Sequence, residues 1–247
     1  MLLTFILKLI EFLFLLILLV GVPALAMVTM RQKQLRTVPR SALYLSAVFS
    51  QWVLGAVTVL VVVITGTRFV SLGFRAVGLI PFLGWALAAA LVAVALTGVL
   101  ILLEKLGWWP PESELLHLLI PSNTREKLLC VFVVAPTAAL CEEFIYRGYL
   151  LTQLGEYLNS TPRAWALSSF VFGLAHVYQG WSGMLRAALL GALLAYPVVK
   201  LGSLYPSMAA HWLIDVVAFV WLGPRFLPRV RARGTLENDA AESGSSC

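Results

Sequence analysis

Charge is what this chain has least of. Only 12% of its 247 residues are Asp, Glu, Lys or Arg, while 60% are hydrophobic. A soluble globular domain carries about 25% charged residues. With a mean hydropathy of +0.90, the composition excludes such a domain and marks an integral membrane protein. Cysteine is scarce as well. Cys130 and Cys141 share one apolar span, about 16 Å apart along a helix and too far to bridge. Cys247 closes a Ser/Gly/Glu-rich end. Neither a disulfide framework nor a CxxC metal pair is present. There are three histidines, none in an HExxH zinc helix, and no periodic repeat.

The net charge of +6 does not indicate nucleic acid, because no interleaved aromatics or binding motif accompany the basic residues. They gather instead in two clusters, Arg31, Lys33, Arg36 and Arg40, then Arg225, Arg229, Arg231 and Arg233. Basic clusters beside apolar spans are topology signals that face the anionic cytoplasmic leaflet.

Seven apolar spans are expected, at about 2–30, 42–65, 81–103, 127–151, 163–178, 183–201 and 205–222. With both clusters inside, an odd count places the N-terminus outside and the C-terminus in the cytoplasm. Ala24-Leu25-Ala26 has the pattern of a signal-peptidase site. However, Lys8 lies inside the hydrophobic run and the strong cluster follows it, which favours a retained helix. Residues 66–78 read as an interfacial connection. Trp108-Trp109-Pro110-Pro111-Glu112 breaks the helical pattern. The expected architecture is an all-α polytopic bundle with a polar active site inside it. Its parts are N-terminal transmembrane helices and a basic loop (1–110), a core (125–222) and a polar, disordered tail (224–247).

The core contains ionisable residues that a membrane disfavours. Glu142, Glu143 and Arg147 lie within six residues of one another, and a charge near the bilayer centre costs about 2.5–3.5 kcal/mol even on the lenient insertion scale. Glu143 and Arg147 are i,i+4 neighbours on a helix and can pair. Glu142 has no local cation. His176 ends the fifth span. His211 and Asp215 share a helical face, so the aspartate can fix the imidazole tautomer. Each residue has a bland reading: a helix-stabilising ion pair, an interfacial histidine, a satisfied polar pair. Together they are the parts of a water-activating site. Depth counted along the spans puts Glu142 about 22 Å into the fourth, beyond the midplane. His176 falls late in the fifth and His211 early in the seventh. The three meet only if spans are tilted, short or broken.

Glu142-Glu143-x-x-x-Arg147-Gly148, Phe172-x-x-x-His176 and His211-x-x-x-Asp215, in this order on successive apolar helices, resemble the CAAX-protease and bacteriocin-processing family of intramembrane proteases. Its eukaryotic members are type II prenyl endopeptidases, and its bacterial members are the abortive-infection-like group. The resemblance covers roughly residues 125–222. It implies an endopeptidase that cleaves a peptide bond near the membrane surface, in a bacterial cell membrane. Its substrate would be a peptide or protein, membrane-anchored or lipidated among the options. By position, Glu142 would be the general base and His176 would hold the water. His211 and residue 215 would support the oxyanion, and Glu143 with Arg147 would hold the helix. The family commonly has Asn at the last position, so Asp215 is expected to orient His211 instead, or to act while protonated. Zinc held by Glu142, His176 and His211 and a metal-free Glu142–His176 pair are both compatible with these residues. The alternatives from other classes are an ion or proton transporter, with helix breaks at Gly155, Gly173 or Pro197, and a silent immunity or scaffold factor.

Overall fold

A computed structural model describes residues 1–32, 37–110 and 113–222. Lys33, Arg36, the second arginine cluster and the tail expected to be disordered lie outside the described residues. Within them the chain is helical, with no strand. Five helices are long and apolar enough to cross a membrane. These are α1 (Leu2–Thr29), α2 (Arg40–Thr65), α3 (Leu79–Lys105), α5 (Thr124–Leu158) and the 25-residue Val177–Leu201, whose α-helical part is α7 (Gly180–Leu201). A short α4 (Glu114–Leu119) separates α3 from α5. The fifth and seventh expected spans are shorter. They are α6 (Thr161–Ala175, 15 residues) and α8 (Tyr205–Val217, 13 residues), the latter continued by a wider turn to Leu222.

Local chemistry sets the boundaries. Asn123 caps α5 by accepting from the Glu126 N–H at 2.9 Å, and Glu126 reaches back to the Ser122 N–H, a reciprocal cap. Asn159 turns the chain in the left-handed region (φ 46°), and Ser160 then caps α6 ahead of Pro162. Outside, Phe49, Leu91 and Phe132 are about two-thirds exposed or more. A large exposed apolar surface would be a liability in water and is suited to lipid. Inside, the eight residues Glu143–Leu150 of α5 are all buried, on a stretch wound more widely than an α-helix. A helix buried all round sits at the centre of its bundle, and such wide turns recur at functional sites.

Residues 66–78 are mostly exposed, as the expected interfacial connection would be, but Leu72 and Gly73 dip into the bundle. Leu72 is buried, and the Gly73 carbonyl accepts from the Leu204 N–H at 2.9 Å. Gly148 explains why there is room. A Cβ there would lie 3.1 Å from the Leu72 carbonyl oxygen and 3.2 Å from Leu204 Cδ1, so the loop backbone crosses α5 where it has no side chain. The start of α8 therefore lies inside the protein, with Leu204 fully buried.

This placement resolves the depth conflict. Glu142 lies 16 residues before the end of α5 at Leu158, and His176 lies 15 after the start of α6 at Thr161, so two antiparallel helices bring them level. His211 stands seven residues beyond Leu204, which packs beside Gly148, six residues past Glu142.

Candidate active site

Three helices bring their acids and imidazoles to one place. Glu142 Oε2, from the middle of α5, is 4.0 Å from His176 Nε2 at the end of α6 and 3.9 Å from His211 Nε2 on α8. Asp215 Oδ2 is 3.7 Å from the same His211 nitrogen. All four residues line a cavity of about 280 Å³. It runs toward the end of the bundle formed by the start of α2, the second half of α3 and α4, past Leu43, Ala47, Thr97, Ile101 and Leu119.

Each ring is held from its far nitrogen. His176 Nδ1 is 2.8 Å from the Phe172 carbonyl oxygen, an acceptor only, so Nδ1 carries a proton and Nε2 faces Glu142. The Phe172 ring packs against the imidazole with centroids 4.5 Å apart. His211 Nδ1 donates to Glu143 Oε1 at 2.7 Å. The carboxylate that orients His211 is thus Glu143 from α5, while Asp215, its neighbour on the same helix, flanks the outer nitrogen. Glu143 Oε1 also meets Arg147 Nη1 at 3.1 Å, as the i,i+4 spacing implies, and Ser207 donates to Oε2. Glu143 is fully buried and Arg147 is 2% exposed, its guanidinium 4.0 Å over the Phe172 ring. Buried charges persist where they are paired and hydrogen-bonded, and Glu143 has three partners on two helices.

All six site residues expected from sequence are therefore brought together. Two others were missed. Gln51 on α2 donates to Glu142 Oε1 at 2.6 Å, and Ser207 lies one turn before His211. The available signal was an amide in mid-span, between Ser50 and Trp52, and a serine four residues from a histidine. Neither forms a local motif.

Residues 124–217 match the family model described as type II CAAX prenyl endopeptidase Rce1-like. This segment is similar to that family. The limits of the match coincide with the first residue of α5 and the last of α8, so the matched segment holds every expected site residue, and Gln51 comes from outside it. Comparison with curated proteins and with solved structures finds no match.

Zinc would need these donors closer together. A zinc ion with donors at about 2.0–2.1 Å in a tetrahedron would set those donors about 3.3 Å apart. The Glu142–His176 and Glu142–His211 separations of 4.0 and 3.9 Å are wider. Among the described residues no group of three His, Cys, Asp or Glu side chains is placed to hold a metal ion. The gap is of a size to take a water between an acceptor carboxylate and an acceptor imidazole nitrogen.

Proposed function

We propose that this membrane protein is an intramembrane endopeptidase in which Glu142 and His176 activate water for attack on a peptide bond near the membrane surface. The observation that carries this reading is the approach of His176 Nε2 and His211 Nε2, each from its own helix, to within 4.0 Å of Glu142 Oε2, at the inner end of a cavity.

The geometry supports a role for each residue. A water in the gap hydrogen-bonds to His176 Nε2 and gives a proton to Glu142 Oε2, and its oxygen bonds to the substrate carbonyl carbon. The carbonyl π electrons move onto oxygen. His211, held through Nδ1 by Glu143 and flanked by Asp215, turns Nε2 toward that oxyanion and in its imidazolium form donates to it. When the C–N bond breaks, the proton on Glu142 passes to the leaving amine and the carboxylate is restored. Arg147, through Glu143, holds the layer beneath. No step uses a metal. The transporter alternative relied on broken helices, yet α5, α6 and α7 run through Gly155, Gly173 and Pro197.

The mostly apolar cavity suits an extended, hydrophobic or membrane-anchored segment. The test uses the protein in liposomes with a pool of internally quenched peptides, each carrying a hydrophobic anchor. Cleavage by the unsubstituted protein is expected. Glu142→Gln should lose about 10²–10⁴-fold in rate, the range for a general base, at an unchanged unfolding temperature. Cleavage that survives Glu142→Gln, or none by the unsubstituted protein, overturns the reading. Dialysis against a zinc chelator should leave the rate unchanged, and loss restored by zinc alone would refute the metal-free version.

A further inference from the structure

Gln51 belongs to α2, in the half of the chain outside residues 124–217, yet its amide reaches the candidate base. Nε2 donates to Glu142 Oε1 at 2.6 Å, a short contact of the charge-assisted kind. The contact is built in by the way α2 meets α5. One residue on, Trp52 Nε1 donates to Thr137 Oγ1 at 3.2 Å. One turn on, Gly55 lies against Cys141, the residue before Glu142. A Cβ on Gly55 would sit 3.5 Å from the Cys141 sulfur, at ordinary contact distance, so α2 runs close beside α5 here. The two contacts set the rotation and distance of α2 at the level of Glu142.

The other end of the amide shows what it is for. Gln51 Oε1 is buried and has no hydrogen-bond partner among the described residues, while Gln51 lines the same cavity as Glu142, His176 and His211. A buried acceptor left open is unfavourable. An amide placed only to tie two helices would find partners at both ends. Here the amide is turned to suit the carboxylate. A glutamate side chain swings about three bonds, and either oxygen can face the imidazoles. With Oε1 fixed by Gln51, Oε2 is the oxygen aligned on both Nε2 atoms.

We propose that Gln51 is a positioning residue for hydrolysis, holding Glu142 so that one defined oxygen meets the water. This rests on the role of Glu142 proposed above. It makes the N-terminal helices part of the machinery: the domain matched at residues 124–217 would be incomplete without α2.

The test is a double-substitution cycle on the liposome-embedded protein, with the anchored quenched peptides as probe. Gln51→Met keeps the length and removes the donor. It should lower kcat about 10–100-fold, as loss of a residue orienting a catalytic ligand does, with KM within about twofold. In a Glu142→Asp background the carboxylate is withdrawn by one methylene from the amide, and the same substitution should lower kcat by only about twofold. Gln51→Asn separates position from polarity. It keeps the amide but withdraws it, and should behave like Gln51→Met. The proposal is overturned by full kcat in Gln51→Met, by equal losses in both backgrounds, or by wild-type behaviour of Gln51→Asn. If Glu142→Gln still cleaves, the assignment of Glu142 as the base falls, and the role of Gln51 with it. If that variant is inactive while Gln51→Met turns over at the full rate, only the role of Gln51 does.

Discussion

Arg147 and Glu143 form a buried pair with little slack. Nη1 meets Oε1 at 3.1 Å, too obliquely to count as a hydrogen bond, and the guanidinium rests on Phe172. Removing one member of such a pair leaves an uncompensated buried charge, a loss of about 3–5 kcal/mol. Arg147→Met should therefore lower stability by about that amount in reversible unfolding. Glu143→Met/Arg147→Met should recover much of it, since no lone charge remains, but cleavage should stay low because His211 Nδ1 has lost its acceptor. Recovery of both together would show that Glu143 serves only to neutralise Arg147. At this scale the site was legible wherever partners lie one helical turn apart: Glu143 with Arg147, Phe172 with His176, His211 with Asp215. Partners far apart in the chain were not. Gln51 and Glu142 are 91 residues apart, and Glu143 and Ser207 are 64 apart, and no spacing rule joins them. Asp215 is an instructive case. The i,i+4 rule correctly put it near His211, but the shorter contact to the ring comes from Glu143 on another helix.

Between elements, the approach of α6 to α7 decides whether His176 reaches the gap. Gly173, one turn before His176, sits where a Cβ would be 2.7 Å from Ala188 Cβ and 2.8 Å from the Met184 carbonyl oxygen. Small residues at such crossings let helix backbones come close in membranes. Gly173→Ala should thus be destabilising by about 1–3 kcal/mol, as overpacking is, and should lower activity by displacing the end of α6. Ala188→Gly in the same chain should rescue it only in part, because the clash with the Met184 backbone remains. Unfolding of the three variants in one detergent checks this, and a neutral Gly173→Ala would refute the tight crossing. Apolar runs in the sequence marked five helices long enough to cross a membrane, but not the depth of the shorter α6 and α8. Counting from span ends assumed that every span starts at a membrane face. α8 does not, because the 66–78 loop and Gly148 let Leu204 begin it inside the bundle. That contact joins segments more than fifty residues apart and leaves no mark in any window of hydropathy.

For the molecule as a whole, the question is which membrane face opens onto the site. Arg40 donates to the Leu118 carbonyl at 3.0 Å and Tyr44 to that of Leu119, so α4 lies across the start of α2. The cavity runs from Glu142 to this end. Arg31, Arg40, Lys105, Arg125 and Lys127 lie at the same end, and in the sequence Lys33 and Arg36 fall between the first two. The positive-inside rule makes the cytoplasmic side the expectation for this end, which labelling tests. A second cavity, lined by Thr152, Arg75 and Val199, opens near the opposite end. Cysteine labelling can then read the orientation directly. Cys130 and Cys141 are buried, so in a Cys247→Ser background the signal comes from an introduced thiol. Thr97→Cys, in the site cavity, should react with a membrane-impermeant maleimide in inverted vesicles and stay unlabelled in right-side-out ones. Thr152→Cys should do the reverse. An exchanged pattern would put the site on the outer face and make its substrates external. Thr97→Cys labelling from both faces would mean a continuous aqueous path past Glu142, and transport would then displace hydrolysis as the better account of these charges.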